Sequence, residues 1–244
     1  MYNENGAPTI ANCTFYQNSG LYGAGLYNVD SHPSIAKCRF DDNFVYKWGP
    51  GDLVYGGAGG GMYNHQSSPR VTNCVFSANF NSGMQNRVNS APVLTNCLFV
   101  RNLSFGDGGG MYNDSSSPEL HNCQFQSNSA VEGGGMSNRS SHPSLTDCIF
   151  ISNSARGYGG GVYNYRTNAT LRKCTFADNV AMQGGGAMGS SESNISSTNC
   201  IFSGNRAEKN IGGALYSVRN YQRSTNCTFS GNSVGFKGGV LAII

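Results

Sequence analysis

Pairs of apolar residues separated by one position recur down the chain, each flanked by Asn, Ser or Gly, and they return about every 25 residues. Nine cysteines mark the beat: Cys13, Cys38, Cys74, Cys97, Cys123, Cys148, Cys174, Cys200 and Cys227. Each is followed two residues later by Phe (Phe15, Phe40, Phe76, Phe99, Phe125, Phe150, Phe176, Phe202, Phe229) and five residues later by Asn, from Asn18 to Asn232. Cys and Phe share parity, so they face the same side of a short strand. A glycine cluster follows, and the residue after it is apolar: Leu26, Met62, Met111, Met136, Val162, Ala187 or Leu215. That residue is expected to point inward and the Tyr after it outward. The Asn residues after Phe and after Tyr should sit at strand ends, where Asn tolerates positive φ and its amide can bond its copies above and below. No 11-residue window combines a helical period with helix formers.

The unit reads P-x-L-T-N-C-x-F-x-x-N, a short variable stretch, then G-G-G-M-Y-N. One such unit holds two or three short strands and cannot bury its own apolar face, whereas stacked copies can. The expected fold is all-β: a right-handed parallel β-helix, a solenoid of about nine to ten coils of roughly 25 residues. With about 4.8 Å between paired strands, nine rungs make a rod roughly 40–45 Å long. A leucine-rich repeat has an overlapping period but demands several Leu per unit. Here most units have one or none.

Composition fits a folded but unusual interior. Gly accounts for 34 residues, charged residues for 12%, and the formal net charge is +3. Such a scattered, nearly balanced charge excludes a nucleic-acid surface, which needs a basic stripe and interleaved aromatics. No apolar run approaches a membrane span of about 18 residues, and Met1–Gly6 lacks the features of a signal peptide. Met1-Tyr2-Asn3 coincides with the repeat positions of Met62-Tyr63-Asn64, and the chain closes on Gly-Gly-Val240-Leu241. The expectation is one β-helix domain over 1–244, a fragment of a longer chain with uncapped coils open to end-to-end association.

The G-G-G-M-Y-N and F-x-x-N units, for example Gly109 to Asn113 and Phe125 to Asn128, resemble the G-G-A-[ILV] and F-x-x-N repeats of chlamydial polymorphic outer-membrane proteins. They are also similar to the wider right-handed parallel β-helix repeats of the pectin-lyase-like fold. The resemblance covers nearly the whole chain and implies a passenger or stalk at a cell surface or outside the cell. It leaves function open, because the fold hosts adhesins, lyases, hydrolases and tailspikes alike. The chain has no recognisable membrane barrel and no G-G-x-G-x-D calcium nonapeptide.

Candidate sites are few. The cysteines share one inward register, do not suit disulfide geometry and fit no zinc spacing, so they read as small hydrophobes of a core ladder. The outward Tyr row includes Tyr63 and Tyr112, with interruptions at Gln85, Ser137 and Met188. It either stacks sugar rings or simply packs on its vertical neighbours. The one large insertion, the 44–55 loop, carries Tyr46, Trp48, Asp52 and Tyr55, a glycan or protein contact or else a cover for an apolar edge. Asp107 and Glu132 precede their Gly triplets on adjacent rungs, about 5 Å apart. That spacing would suit a retaining glycosidase pair or a cation site, with Tyr158 and Gln183 next in line. His65, Arg87, Asp114 and Arg139 follow one another as a surface charge ladder. The histidines do not converge. No metal site or cofactor is expected. The expected function is therefore a non-catalytic structural or adhesive segment contacting polysaccharide or a surface protein. The alternative is a polysaccharide lyase or glycoside hydrolase using Asp107, Glu132, Arg87 and Arg139.

Overall fold

A computed structural model describes residues 1–45, 58–209, 211–235 and 239–244. Successive units stack in register as parallel strands. Sheet I has ten strands, from Tyr2–Glu4 to Leu241–Ile243, and sheets II and III have nine each, from Thr9–Ala11 to Tyr221–Thr225 and from Thr14–Tyr16 to Thr228–Ser230. Sheet IV has five two-residue strands, from Ser129–Ala130 to Ser233–Val234. A separate pair, Ser19–Gly20 with Phe44–Val45, stands on the same side nearer the N-terminus. Every pairing joins equal positions of neighbouring units, for instance Phe99 with Phe125 and Asn113 with Asn138. This is the parallel β-helix that the period predicts.

The interior is a bundle of one-residue columns. Sheet I contributes Leu26, Met62, Met84, Met111, Met136, Val162, Met188 and Leu215. Sheet II contributes Ile10, Ile35, Val71, Leu94, Leu120, Leu145 and Leu171. Between them run the cysteines and the phenylalanines, and Phe40 through Phe202 are all fully buried. Burying a Phe side chain stabilises by about 2 kcal/mol, so seven in a row are a large part of the driving force. Their rings stack with centroids 4.6–5.0 Å apart and planes within 8°. That separation is set by the rung spacing.

Two asparagine ladders also run inside the coil. In sheet I, Nδ2 of each Asn donates to Oδ1 of the next, along Asn3, Asn28, Asn64, Asn86, Asn113, Asn138 and Asn164, at 2.8–2.9 Å. In the F-x-x-N ladder each amide does more. Asn102, for example, donates to both Asn128 Oδ1 and the Phe76 carbonyl. These Asn residues are not the left-handed ones. Positive φ falls on the residue before them, such as Gln17, Arg101, Ser127 and Ser152, and again before each Cys and after each of the first nine sheet I strands. The chain thus turns these three corners with single left-handed residues, except for the pair Val88 and Asn89, and the Asn after the corner is free to turn its amide inward.

Pro explains a local difference. Pro33, Pro69, Pro92 and Pro118 accept a rung hydrogen bond from the unit after them but have no N–H to give. Where Ala169, Ile195 and Gln222 replace Pro, the sheet II strands lengthen to five residues, Asn168–Arg172, Asn194–Thr198 and Tyr221–Thr225.

Candidate functional site

The outer face of sheet I carries the acids and tyrosines singled out by the sequence. Asp107 and Glu132 do stand on successive coils, since Gly108 N–H donates to the Glu132 carbonyl at 2.9 Å. The Glu132 carboxylate is engaged by the coil that follows, its Oε2 accepting the Tyr158 N–H, and the Glu132 backbone N–H favours the charged form of Asp107. Gly157 leaves room for this, because a Cβ there would meet the Glu132 carboxylate at 2.3 Å. Burial raises both acids. Asp107 is lifted above its usual range against the pull of Arg139, and burial together with the Asp107 charge pushes Glu132 up to about 7, against the Tyr158 hydrogen bond.

Arg87 does not join them. Its guanidinium lies over the Tyr112 ring at 5.5 Å, and its Nε is buried without a hydrogen-bond partner. Arg139 lies over Tyr165 at 5.7 Å. The register Arg87–Asp114–Arg139 is as expected, but these residues form no ion pair within 4 Å among the described residues.

The tyrosine row points away from the coil interior yet is largely covered. Tyr63 and Tyr112 are only 6% and 7% exposed. The residues before a glycine turn fold back over sheet I, as at Gly23, whose φ of +48° leaves no room for a Cβ beneath the Leu26 carbonyl. Tyr22 arrives by this route, 5.5 Å from the Tyr63 ring. The row is thus a packed stack, and Tyr63 and Tyr112 offer little ring face to a ligand. Tyr46, Trp48, Asp52 and Tyr55 lie outside the described residues.

One register differs from the expected one. Met188 pairs with Val162 and points inward, while Gly189 occupies the tyrosine row. In that unit the glycines start one residue early and Ala187 takes the third glycine's place, so Gly184 rather than Gln183 follows Tyr158. Tyr158 fills the gap left by Gly189 and stacks on Tyr216 at 4.9 Å.

A third polar column escaped the sequence reading. Ser31, Ser67, Ser90, Ser116, Ser141, Thr167 and Ser193 are buried, and Oγ of one accepts the backbone N–H of the one before, as from Ser31 to Ser67 at 3.0 Å. Its signal is the Ser two residues before Pro33, Pro69, Pro92, Pro118 and Pro143. The cysteines behave as expected. They are free, and Cys38 through Cys200 are buried, each thiol donating to the carbonyl two residues back, as Cys148 does to Thr146 at 3.4 Å. Neighbouring thiols and burial push Cys148 and Cys174 up to about 12.

Two clefts lie on other faces. One, of about 280 Å³, follows the lengthened strands of sheet II, where the Asn168 and Asn194 amides bond at 2.8 Å beside Tyr221 and Arg223. Among the described residues Tyr221 is the most exposed large apolar residue, at 69%. The other, of about 500 Å³, crosses sheet IV between Ser129 and Lys209. Among the described residues no cluster of three or more His, Cys, Asp or Glu could hold a metal ion, and no helix is long and apolar enough to cross a membrane.

A solved structure of trypsin-treated QnrB1, a plasmid-mediated fluoroquinolone resistance protein, aligns over 98% of this chain and 92% of its own. It does so at 13% identity and a TM-score of 0.34, too low to carry an argument. No curated protein matches the chain. The family described as right-handed beta helix region matches residues 1–135 and again 104–234. Those matches take in nearly every coil, and the chain belongs to the right-handed β-helix family.

Proposed function

We propose that the chain is a non-catalytic, rigid β-helical segment of a surface or secreted protein, contacting glycans or proteins through its outer faces. One observation carries the non-catalytic part. Glu132, the acid best placed for chemistry, holds the Tyr158 N–H of the following coil and so works as a clasp between rungs. The unbroken interior columns support the scaffold role, because stacking of identical positions leaves few chemically distinct pockets. The surface location is supported by the repeat resemblance alone. For glycan contact, the exposed Tyr221 ring beside the Asn168 and Asn194 amides supplies a stacking face and hydrogen bonds together.

Glu132 supports a second reading. An acid held at about 7 beside another carboxylate suits proton transfer near neutrality, as a polysaccharide lyase or glycoside hydrolase would need. A panel of neutral and acidic polysaccharides, assayed for new reducing or unsaturated ends, separates the two. The scaffold reading expects no release above background. Release that disappears in Asp107→Asn or Glu132→Gln would replace it with the enzyme.

A further inference from the structure

The 500 Å³ cleft on sheet IV has a chemistry that nothing above uses. Its floor is aliphatic: Ala155, Val180 and Met182, the last 39% exposed. Ser129 and Ser154 border it, their hydroxyls bonded to each other at 3.1 Å. Arg156 and Lys209 also line it, on coils two rungs apart, and neither forms an ion pair among the described residues. The cleft's carboxylate, Glu208, is already taken by Arg206 at 2.9 Å. The cleft therefore presents two unmatched positive charges around an apolar strip.

The spacing of those charges is fixed by the coil. Arg156 N–H donates to Ala130, Met182 N–H to Ala155, and Lys209 N–H to Met182. Lys209 thus stands two rungs from Arg156 and one residue to the side, about 10 Å away at about 4.8 Å per rung. A polyproline II segment rises about 3.1 Å per residue and brings every third side chain to the same face. Acidic residues at i and i+3 of such a segment lie about 9 Å apart on one side, and an apolar residue between them reaches the Met182 floor. A sugar chain fits less well, because the floor offers no aromatic face. The ring and amides suited to sugars are in the other cleft, around Tyr221.

We propose that the sheet IV cleft docks an extended acidic peptide segment, with carboxylates three residues apart paired to Arg156 and Lys209 and an aliphatic side chain seated on Met182 and Val180. The proposal rests on the reading of the outer faces as contact surfaces and names the partner for one of them.

The test uses the full chain and a fluorescein-labelled peptide containing Glu-Pro-Leu-Glu-Pro, followed by anisotropy at low and moderate salt. Binding should weaken at least tenfold when both Glu are replaced by Gln, and at least tenfold again in Arg156→Gln/Lys209→Gln. A control, Arg70→Gln/Arg172→Gln, removes the same charge elsewhere and should leave affinity unchanged. Met182→Ser should weaken binding without changing its salt dependence. Unaltered thermal unfolding of each variant shows that the coil is intact. Absence of peptide binding, or equal loss in the control, overturns the cleft while leaving the scaffold reading standing, since that reading turns on the polysaccharide assay. Displacement of the peptide by heparin oligosaccharides whose own binding is lost in the Arg156→Gln/Lys209→Gln variant also overturns it, and assigns the surface to polyanions in general.

Discussion

Asn128 and Asn153 are joined twice: the Asn128 side chain and its backbone N–H both donate to Oδ1 of Asn153, at 3.0 Å each. The second Nδ2 hydrogen goes to the Phe99 carbonyl at 2.9 Å, and Asn128 Oδ1 accepts the same pair of bonds from Asn102. Asn128→Leu leaves several buried groups without partners, each costing about 1–3 kcal/mol. The expected loss is roughly 3 kcal/mol or more, read as a lowered urea midpoint. Asn113, with one ladder bond in and one out at 2.8 Å, should lose clearly less on the same change. Equal losses would mean that the F-x-x-N amides do not clamp the corner.

Gly135 faces the phenylalanine stack. A Cβ there would meet Phe150 Cδ1 at 2.9 Å and the Gly161 carbonyl at 2.7 Å. Gly135→Ala should destabilise by about 1–3 kcal/mol, the range for overpacking a full core. Ala187 occupies the same place naturally, and the Phe176–Phe202 rings stand 5.0 Å apart, against 4.6–4.7 Å for the first five pairs of the stack. Ala187→Gly should therefore cost little beyond backbone entropy. Thermal melting of the two variants checks the pair.

Thiol chemistry should sort by position. Cys13 is exposed, Cys227 is half-buried and the seven between are buried. A thiol-reactive dye at pH 8 should label Cys13 first, Cys227 slowly, and the remainder only on unfolding, since a reactive thiol must be accessible and these seven are enclosed in the coil. Peptide mapping of the labelled chain would reveal rapid labelling of Cys123 or Cys148, which would contradict the closed interior.

Glu132 makes stability fall as pH rises. Its folded value, about 7, lies above the ordinary 4.5, so the folded state holds the proton more tightly than the unfolded chain. The contribution is fully present below about 4.5, declines through the interval up to 7, and is gone above it. Because the group is part exposed, the change should be about 1 kcal/mol. Glu132→Gln should flatten that slope and stabilise the chain at pH 8. Asp107, raised in the same direction, should leave a smaller slope of the same sign.

What the sequence revealed follows from which features repeat. The columns through Cys148 and Phe150 were legible because each unit writes the same letters at the same spacing. The corners were not. Gln17, Ala78, Arg101, Ser127 and Asp178 share a left-handed φ at one corner with no common side chain, so stacking rather than local preference sets it. The covering of Tyr63 and Tyr112 depends on a segment folding back from the preceding part of the coil, which periodicity does not encode. The shift at Met188 hid in a glycine run whose first and last members look alike. The sheet IV cleft depends on residues from four units of unequal length, so no single repeat contains it.

Length itself is unevenly distributed around the coil. From the sheet I strand to the cysteine the count is twelve residues in every unit but one, Met84 to Cys97, which spans thirteen, whereas from the F-x-x-N amide to the next sheet I strand it runs from five (Asn79 to Met84) to nineteen (Asn43 to Met62). Three flanks thus keep a nearly constant metre, and one is released from it. Residues can be added or removed along that flank without renegotiating the column contacts, so new recognition should arise there first, and a grafting library belongs between the amide and the glycines.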